Sequence, residues 1–187
     1  MKCRALLAAA LFLLQTCAVA ADVATPAVAR LGRVAFELPA GFTGPERAKP
    51  NEASDMDVYV SREPPAPTLL QVTRVSVPAA RTDLTEEDKT YIATNFLSGF
   101  LQIFSAKTTE WSLDATEPIR LGGHVAVRAR WTGKLRGLPV RGTTYFLVLG
   151  KENFCLQAFG GAMQPNAALE ATFNAIQALQ VSAEAPQ

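Results

Sequence analysis

Between residues 119 and 150 the chain carries six basic side chains and no acidic one. Five of them, Arg128, Arg130, Lys134, Arg136 and Arg141, lie within 14 residues, and Arg120 stands just before. A guanidinium keeps its charge across the physiological pH range and donates hydrogen bonds as a planar fork. Such a cluster suits an acidic protein partner, lipid headgroups or an anionic glycan. The competing reading is a solvated face balanced by acids elsewhere in the chain. The five residues form the candidate binding surface.

Other chemistry is thinly represented. His124 is the single histidine, and no Gly-x-Ser-x-Gly elbow accompanies it. A hydrolase would therefore need a Ser or Cys brought near His124 by the fold. Asp55 and Asp57, one residue apart, could hold a hard cation from one strand face, with Asp114 or Glu117. The regular acid spacing and Gly of a calcium loop are missing. One histidine and one cysteine beyond the leader cannot build a structural zinc site. Gly122-Gly123 and Gly160-Gly161 match neither the Walker nor the dinucleotide pattern. No metal and no cofactor is expected, and the expected role is non-catalytic.

The N-terminus indicates a compartment. Lys2 and Arg4 precede an apolar run from Ala5 to Leu14, and Ala18-Val19-Ala20 supplies small residues for cleavage. This is the pattern of a secretory signal peptide cut near Ala20. The apolar run is about half the length of a membrane-spanning helix. Leu14 and Cys17 echo a lipobox, but Thr16 stands where a small residue is expected, which argues against acylation at Cys17. Without Lys2 and Arg4 the 18 basic side chains fall to 16 against 17 acidic ones. The formal charge then moves from +1 to −1, which offers no net attraction to nucleic acid. Cys3 and Cys17 leave with the leader, and Cys155 remains in an apolar, strand-like run. A location in the periplasm or outside the cell follows, with a soluble chain and no transmembrane segment after cleavage.

The elements that must position these groups are read from periodicity. With 187 residues, 49% hydrophobic, there is material for one domain. Residues 21–32 read as a flexible lead-in, 33–181 as a single α+β domain and 182–187 as a polar tail. Val34, Phe36 and Leu38 alternate as a half-buried strand. Residues 43–54, polar and containing Pro45 and Pro50, read as a loop. In 55–61 Met56, Val58 and Val60 form the apolar face, opposite Asp55, Asp57 and Tyr59. Residues 63–67 read as an extended Pro-rich connector and 69–77 as a third strand. A helix over 86–105 is predicted, capped by Thr85, with Ile92, Phe96, Gly99, Phe100 and Ile103 as its stripe, widened by Leu97, Leu101 and Phe104. Four strands then follow as a meander, over 109–118, 124–132, 140–150 and 154–159. Pro165 and Asn166 open a last helix with Leu169, Phe173 and Ile176 on its apolar side. The expected architecture is α+β, a mostly antiparallel sheet of about six or seven strands with two main helices packed on it.

Three stretches resemble the PsbP-like α-β-α sandwich group, which includes the small exported DcrB-like bacterial proteins. They are the opening strand and its exit, Val34-Ala35-Phe36-Glu37-Leu38-Pro39-Ala40-Gly41-Phe42; the Leu121-Gly122-Gly123-His124 turn with the hairpin to Leu149; and the strand and closing helix from Phe154 to Leu179. The resemblance implies a sheet with helices on both sides and a binding or accessory role, with no shared catalytic residues. The stretch from Gly32-Arg33 to Leu38-Pro39 is also similar to periplasmic immunity proteins that neutralise toxic effectors. The leading expectation is a non-catalytic envelope protein that binds another envelope protein. The alternatives are an immunity-type role or a small-ligand carrier with Phe96, Phe100, Trp111 and Trp131 lining a pocket.

Overall fold

Alternation and capping translate into elements in the computed structural model, which describes residues 27–62, 67–78, 81, 83–162 and 166–183. The predicted leader with Cys17, most of the Pro-rich connector, Pro165 and the end of the polar tail lie outside the described residues. Eleven strands and two helices follow in the order β1 (Val28–Leu31), β2 (Val34–Glu37), β3 (Phe42–Asn51), β4 (Ser54–Ser61), β5 (Thr68–Ser76), α1 (Glu86–Ser105), β6 (Thr109–Leu113), β7 (Glu117–Leu121), β8 (His124–Leu135), β9 (Leu138–Val148), β10 (Glu152–Gly161), α2 (Ala167–Gln177) and β11 (Gln180–Val181).

The main sheet has eight strands, in the order β3-β4-β5-β10-β9-β8-β6, with β7 also paired to β8; the smaller sheet is β1-β2-β11. All described pairings are antiparallel. Several sequence expectations need correction. Residues 42–51 form β3, an edge strand rather than a loop, with register shifts at Thr43/Glu46 and Ala48/Asn51. An edge strand tolerates Pro45 and Pro50 because half its ladder donors face solvent. Val28–Leu31, within the stretch read as a lead-in, pairs with β2. The strand expected over 109–118 is two strands, both on the same edge of β8.

Alternation along β10 divides the interior. Phe154, Leu156 and Ala158 join Leu70, Val72, Tyr145, Leu147, Phe36 and the α2 residues Leu169 and Ile176 in one core. Cys155 joins Val127, Ala129, Trp131, Phe146 and the α1 residues Ala93, Leu97, Leu101 and Phe104 in a second core on the opposite face. Helices therefore cover both faces of one sheet. On β4 burial does not follow the expected faces: Val58 is buried as expected, but so are Tyr59, in the first core, and Asp57 on the face read as polar, while Met56 and Val60 are half-buried. Tyr59 has more apolar surface to hide than the aliphatic residues opposite it.

The caps form as the sequence predicts. Thr85 Oγ1 accepts from the Asp88 backbone N–H at 3.1 Å, and Asp88 accepts from the Thr85 N–H at 3.0 Å, a reciprocal capping box. Asn166 Oδ1 accepts from the Leu169 N–H at 3.1 Å and caps α2. The stripe on α1 is rotated from the expected one. Ala93, Leu97, Leu101 and Phe104 are buried, while Phe96 and Ile103 are 47% and 65% exposed. The apolar face of α1 is wider than its contact with β8 and β9, and the small Ala93 side chain lets the backbone approach closely.

Candidate functional site

The β8–β9 hairpin determines where the basic cluster goes. Leu135 pairs with Leu138, so Arg136 and Gly137 form a two-residue turn with φ of +50° and +79°. Along β8, Val127, Ala129 and Trp131 point to α1, so Arg128 and Arg130 point to the other face. Register places Arg128 opposite Tyr145, Arg130 opposite Thr143 and Thr132 opposite Arg141. The far half of this face is not covered by α2, which packs over β10 and β5. A groove of about 330 Å3 results. Its floor includes Arg128, Arg130, Arg141 and Tyr145, and Asn174 and Gln177 of α2 stand along its wall.

The fold thus brings three of the five candidate cations together. Lys134 and Arg136 do not line the groove: Lys134 pairs with Glu110 at 2.6 Å, and Arg136 is exposed on the turn. The three in the groove are met by acids from neighbouring elements. Arg128 donates from Nε and Nη2 to Glu117 Oε1 at 2.9 and 2.6 Å. Glu117 lies directly across from Arg128 in the ladder. Arg130 approaches the same oxygen at 3.4 Å, and Arg141 pairs with Glu170 of α2 at 2.5 Å. Arg120 pairs with Glu86 at the start of α1 at 2.5 Å. Burial pushes the Tyr145 hydroxyl up, with the Arg128 charge opposing it, so the floor carries a neutral phenol. Sequence reading missed Tyr145, Asn174 and Gln177. Strand alternation from Arg141 through Thr143 could have placed Tyr145; nothing local could have placed the α2 amides.

The remaining candidates are placed as follows. Of the aromatic set, Trp111 and Trp131 pack ring on ring and Phe100 packs against the second core. Trp131 is buried, with Phe104 at 4.8 Å and Trp111 at 5.0 Å between centroids, and its Nε1 donates to Thr144 Oγ1 at 3.1 Å. Phe96 stacks on Phe146 at 5.2 Å. Cys155 lies in the same core, and burial pushes its thiol up to about 12, far from a reactive thiolate. His124 follows the Gly122-Gly123 turn; burial and then the charges of Arg33, Lys89 and Arg120 hold its imidazole below the usual range. Asp55 accepts from Arg74, and Asp57 faces Arg47 at 3.7 Å. Among the described residues no group of three or more His, Cys, Asp or Glu is arranged to hold a metal ion.

No family model and no curated protein matches the chain by sequence. Its shape does match solved structures. The cyanobacterial PsbP of Synechocystis sp. PCC 6803 superposes with a TM-score of 0.57 at 14% identity, over 90% of this chain and 99% of that one. LpqN, described as involved in cell envelope biogenesis of Mycobacterium tuberculosis, gives 0.52 at 12% identity, over 80% and 83%. PA94, a Pseudomonas aeruginosa protein of unknown function, gives 0.51 at 13% identity, over 88% and 100%. At such identities the likeness is one of backbone. The antiparallel sheet, the helix on each of its faces and these superpositions together show that the chain has the PsbP-like α-β-α fold.

Proposed function

We propose that the protein is an exported, non-catalytic accessory module that binds another envelope protein through the groove between α2 and the β8–β9 hairpin. The observation that carries this reading is the state of Arg130. Its side chain is 53% exposed, and it shares with Arg128 a single Glu117 oxygen, to which Arg128 is closer. Most of its five donors remain available to an incoming acidic segment. Arg128 and Arg141 beside it are held in place by Glu117 and Glu170, so little side-chain freedom is lost on binding. The leader pattern supports export. LpqN, which shares the fold, is described as taking part in envelope biogenesis. No helix among the described residues is long and apolar enough to cross a membrane.

A pull-down from envelope extract tests the reading, with the protein and its Arg130→Glu variant as parallel baits. The expected result is a protein partner that is held by the native bait, lost with the variant and weakened by salt. Identical capture by both baits removes the groove from the account. An empty capture by the native protein removes the binding reading itself. A captured toxic effector would make the role immunity-type.

A further inference from the structure

One flank of α1 carries apolar residues that the second core leaves partly uncovered. Phe96 is 47% and Ile103 65% exposed, Ile92 is half-buried and Gly99 is exposed between them. The Phe96 ring stacks on Phe146 at 5.2 Å, so it stands as a fixed ridge. Gly99, three residues on, is the reverse. A Cβ added there would meet nothing within 4 Å, so the same flank has a gap beside its ridge. A single exposed apolar side chain is ordinary, whereas a row of them over about three turns of one helix marks an interaction surface. The row ends in opposite charges. Asp88 lies four residues before Ile92, and Lys107 lies four residues after Ile103, just past the end of α1. Asp88 accepts both of its side-chain bonds from Thr85 at Oδ2. Lys107 is exposed and forms no ion pair among the described residues.

Asp88, Ile92, Phe96, Gly99, Ile103 and Lys107 follow one another at spacings of 4, 4, 3, 4 and 4 residues. Such intervals keep residues on one side of a helix. The series also reads the same from either end. When two such flanks meet antiparallel about a two-fold axis, Asp88 faces Lys107, Ile92 faces Ile103 and Phe96 faces Gly99. Each contact then occurs twice, as an isologous interface requires. The matches are complementary in kind: opposite charges, two aliphatic side chains, and a ring over a glycine. A glycine at the contact lets helix axes approach to the short end of the usual range of about 8–10 Å. Antiparallel packing also brings opposite dipole ends together. A parallel pairing would instead set Asp88 against Asp88 and Lys107 against Lys107. We propose that this flank binds a second copy of the chain, α1 against antiparallel α1, with Phe96 of each copy seated over Gly99 of the other. A partner of another kind needs no flank that reads alike in both directions. The formal net charge of +1 sets little long-range repulsion between copies. The β8–β9 groove lies on the opposite face of the sheet, so pairing through α1 and binding through the groove are independent.

Sedimentation of the protein from micromolar to millimolar concentration should show a monomer–dimer equilibrium. Ile103→Asp should weaken it at least about a hundredfold, because the two-fold axis counts the loss of each buried side chain twice. Gly99→Leu should abolish the dimer while raising the Tm of the monomer. The added side chain meets nothing in the monomer, and glycine is a poor helix former. This variant separates lost pairing from lost folding. Lys107→Glu should weaken the dimer at low salt and less so at high salt. Arg130→Glu, in the groove, should leave the dimer intact. Orientation is read by mixing Ile92→Cys and Ile103→Cys proteins under mild oxidation, with a disulfide between unlike chains as the expected product. Ile103→Cys chains that couple to one another instead would mean parallel pairing and overturn the proposal. So would a protein that stays monomeric throughout, or a dimer that survives both Gly99→Leu and Ile103→Asp.

Discussion

The β8–β9 groove and the surface under the β1–β2 turn assemble their charges in different ways. In the β8–β9 groove the cations are adjacent in sequence, and each one lining it meets an acid from another strand or helix. Under the β1–β2 turn the cations come from residues 30, 47, 49 and 74, interleaved in sequence with acids: Arg47 faces Asp57, Arg74 pairs with Asp55 and Glu152, and the Lys49 charge acts on Asp55. A cluster of like charges in the chain is a poor guide to potential in space. A folded sheet places each residue beside strands that are distant in sequence, and these partners decide whether a charge is spent.

The two regions also differ in what supports them, and glycine substitutions expose this. Gly142 lies across the ladder from Trp131 under the groove, and a Cβ there would come within 2.4 Å of Trp131 Cζ2 and 2.7 Å of Phe159 Cβ. Both rings are locked in the second core. Gly142→Ala should destabilise the protein by about 1–3 kcal/mol through overpacking, seen as a fall in Tm of several degrees. At Gly32 the nearest atom belongs to the Arg74 side chain, which can yield, so the strain is that of a left-handed backbone. Gly32→Ala should cost about 1–2 kcal/mol, at the lower end of the pair. Equal Tm values for Gly142→Ala and the native protein would mean that the groove floor is not rigid.

A smaller effect tests the difference in charge directly. Glu117→Gln removes the acid shared by Arg128 and Arg130, leaving both side chains positive and unopposed by it. The groove should then bind inorganic phosphate more tightly than in the native protein, while stability falls by under about 1 kcal/mol because the pair is partly exposed. An unchanged phosphate affinity would show that Glu117 does not limit the charge that the groove offers.

The smallest effect concerns Asp57. Burial raises its carboxyl above the ordinary 3.8, and Arg47 opposes the shift. An acid whose folded value is raised keeps its proton longer when folded. It therefore favours folding at low pH and loses that contribution as pH rises from 3.8 through the raised value. Asp57→Asn should remove this slope from a stability–pH curve and leave the Asp55–Arg74 pair untouched. A curve identical to that of the native protein would place the titration elsewhere.

Local rules made much of the molecule legible. Thr85 with three following acids announced α1, alternation announced β2, β5, β8, β9 and β10, and their order carried the PsbP-like resemblance. Where local signals conflicted, reading failed. Pro45 and Pro50 looked like loop residues because nothing in the chain marks an edge strand. The α1 stripe was misplaced because an apolar face wider than its contact offers several centres. On β4, Tyr59 and Asp57 counted as polar although both are buried.

By itself the amino-acid order determined the element types, the caps, the opposite faces of each strand and the position of the basic hairpin. The tertiary structure alone decided which charges cancel. Glu117 reaches Arg128 across 11 residues, Glu170 reaches Arg141 across 29 and Glu152 reaches Arg74 across 78. Such pairings depend on sheet order and register. These are set by how two cores close on opposite faces of one sheet, and no window along the chain contains that information.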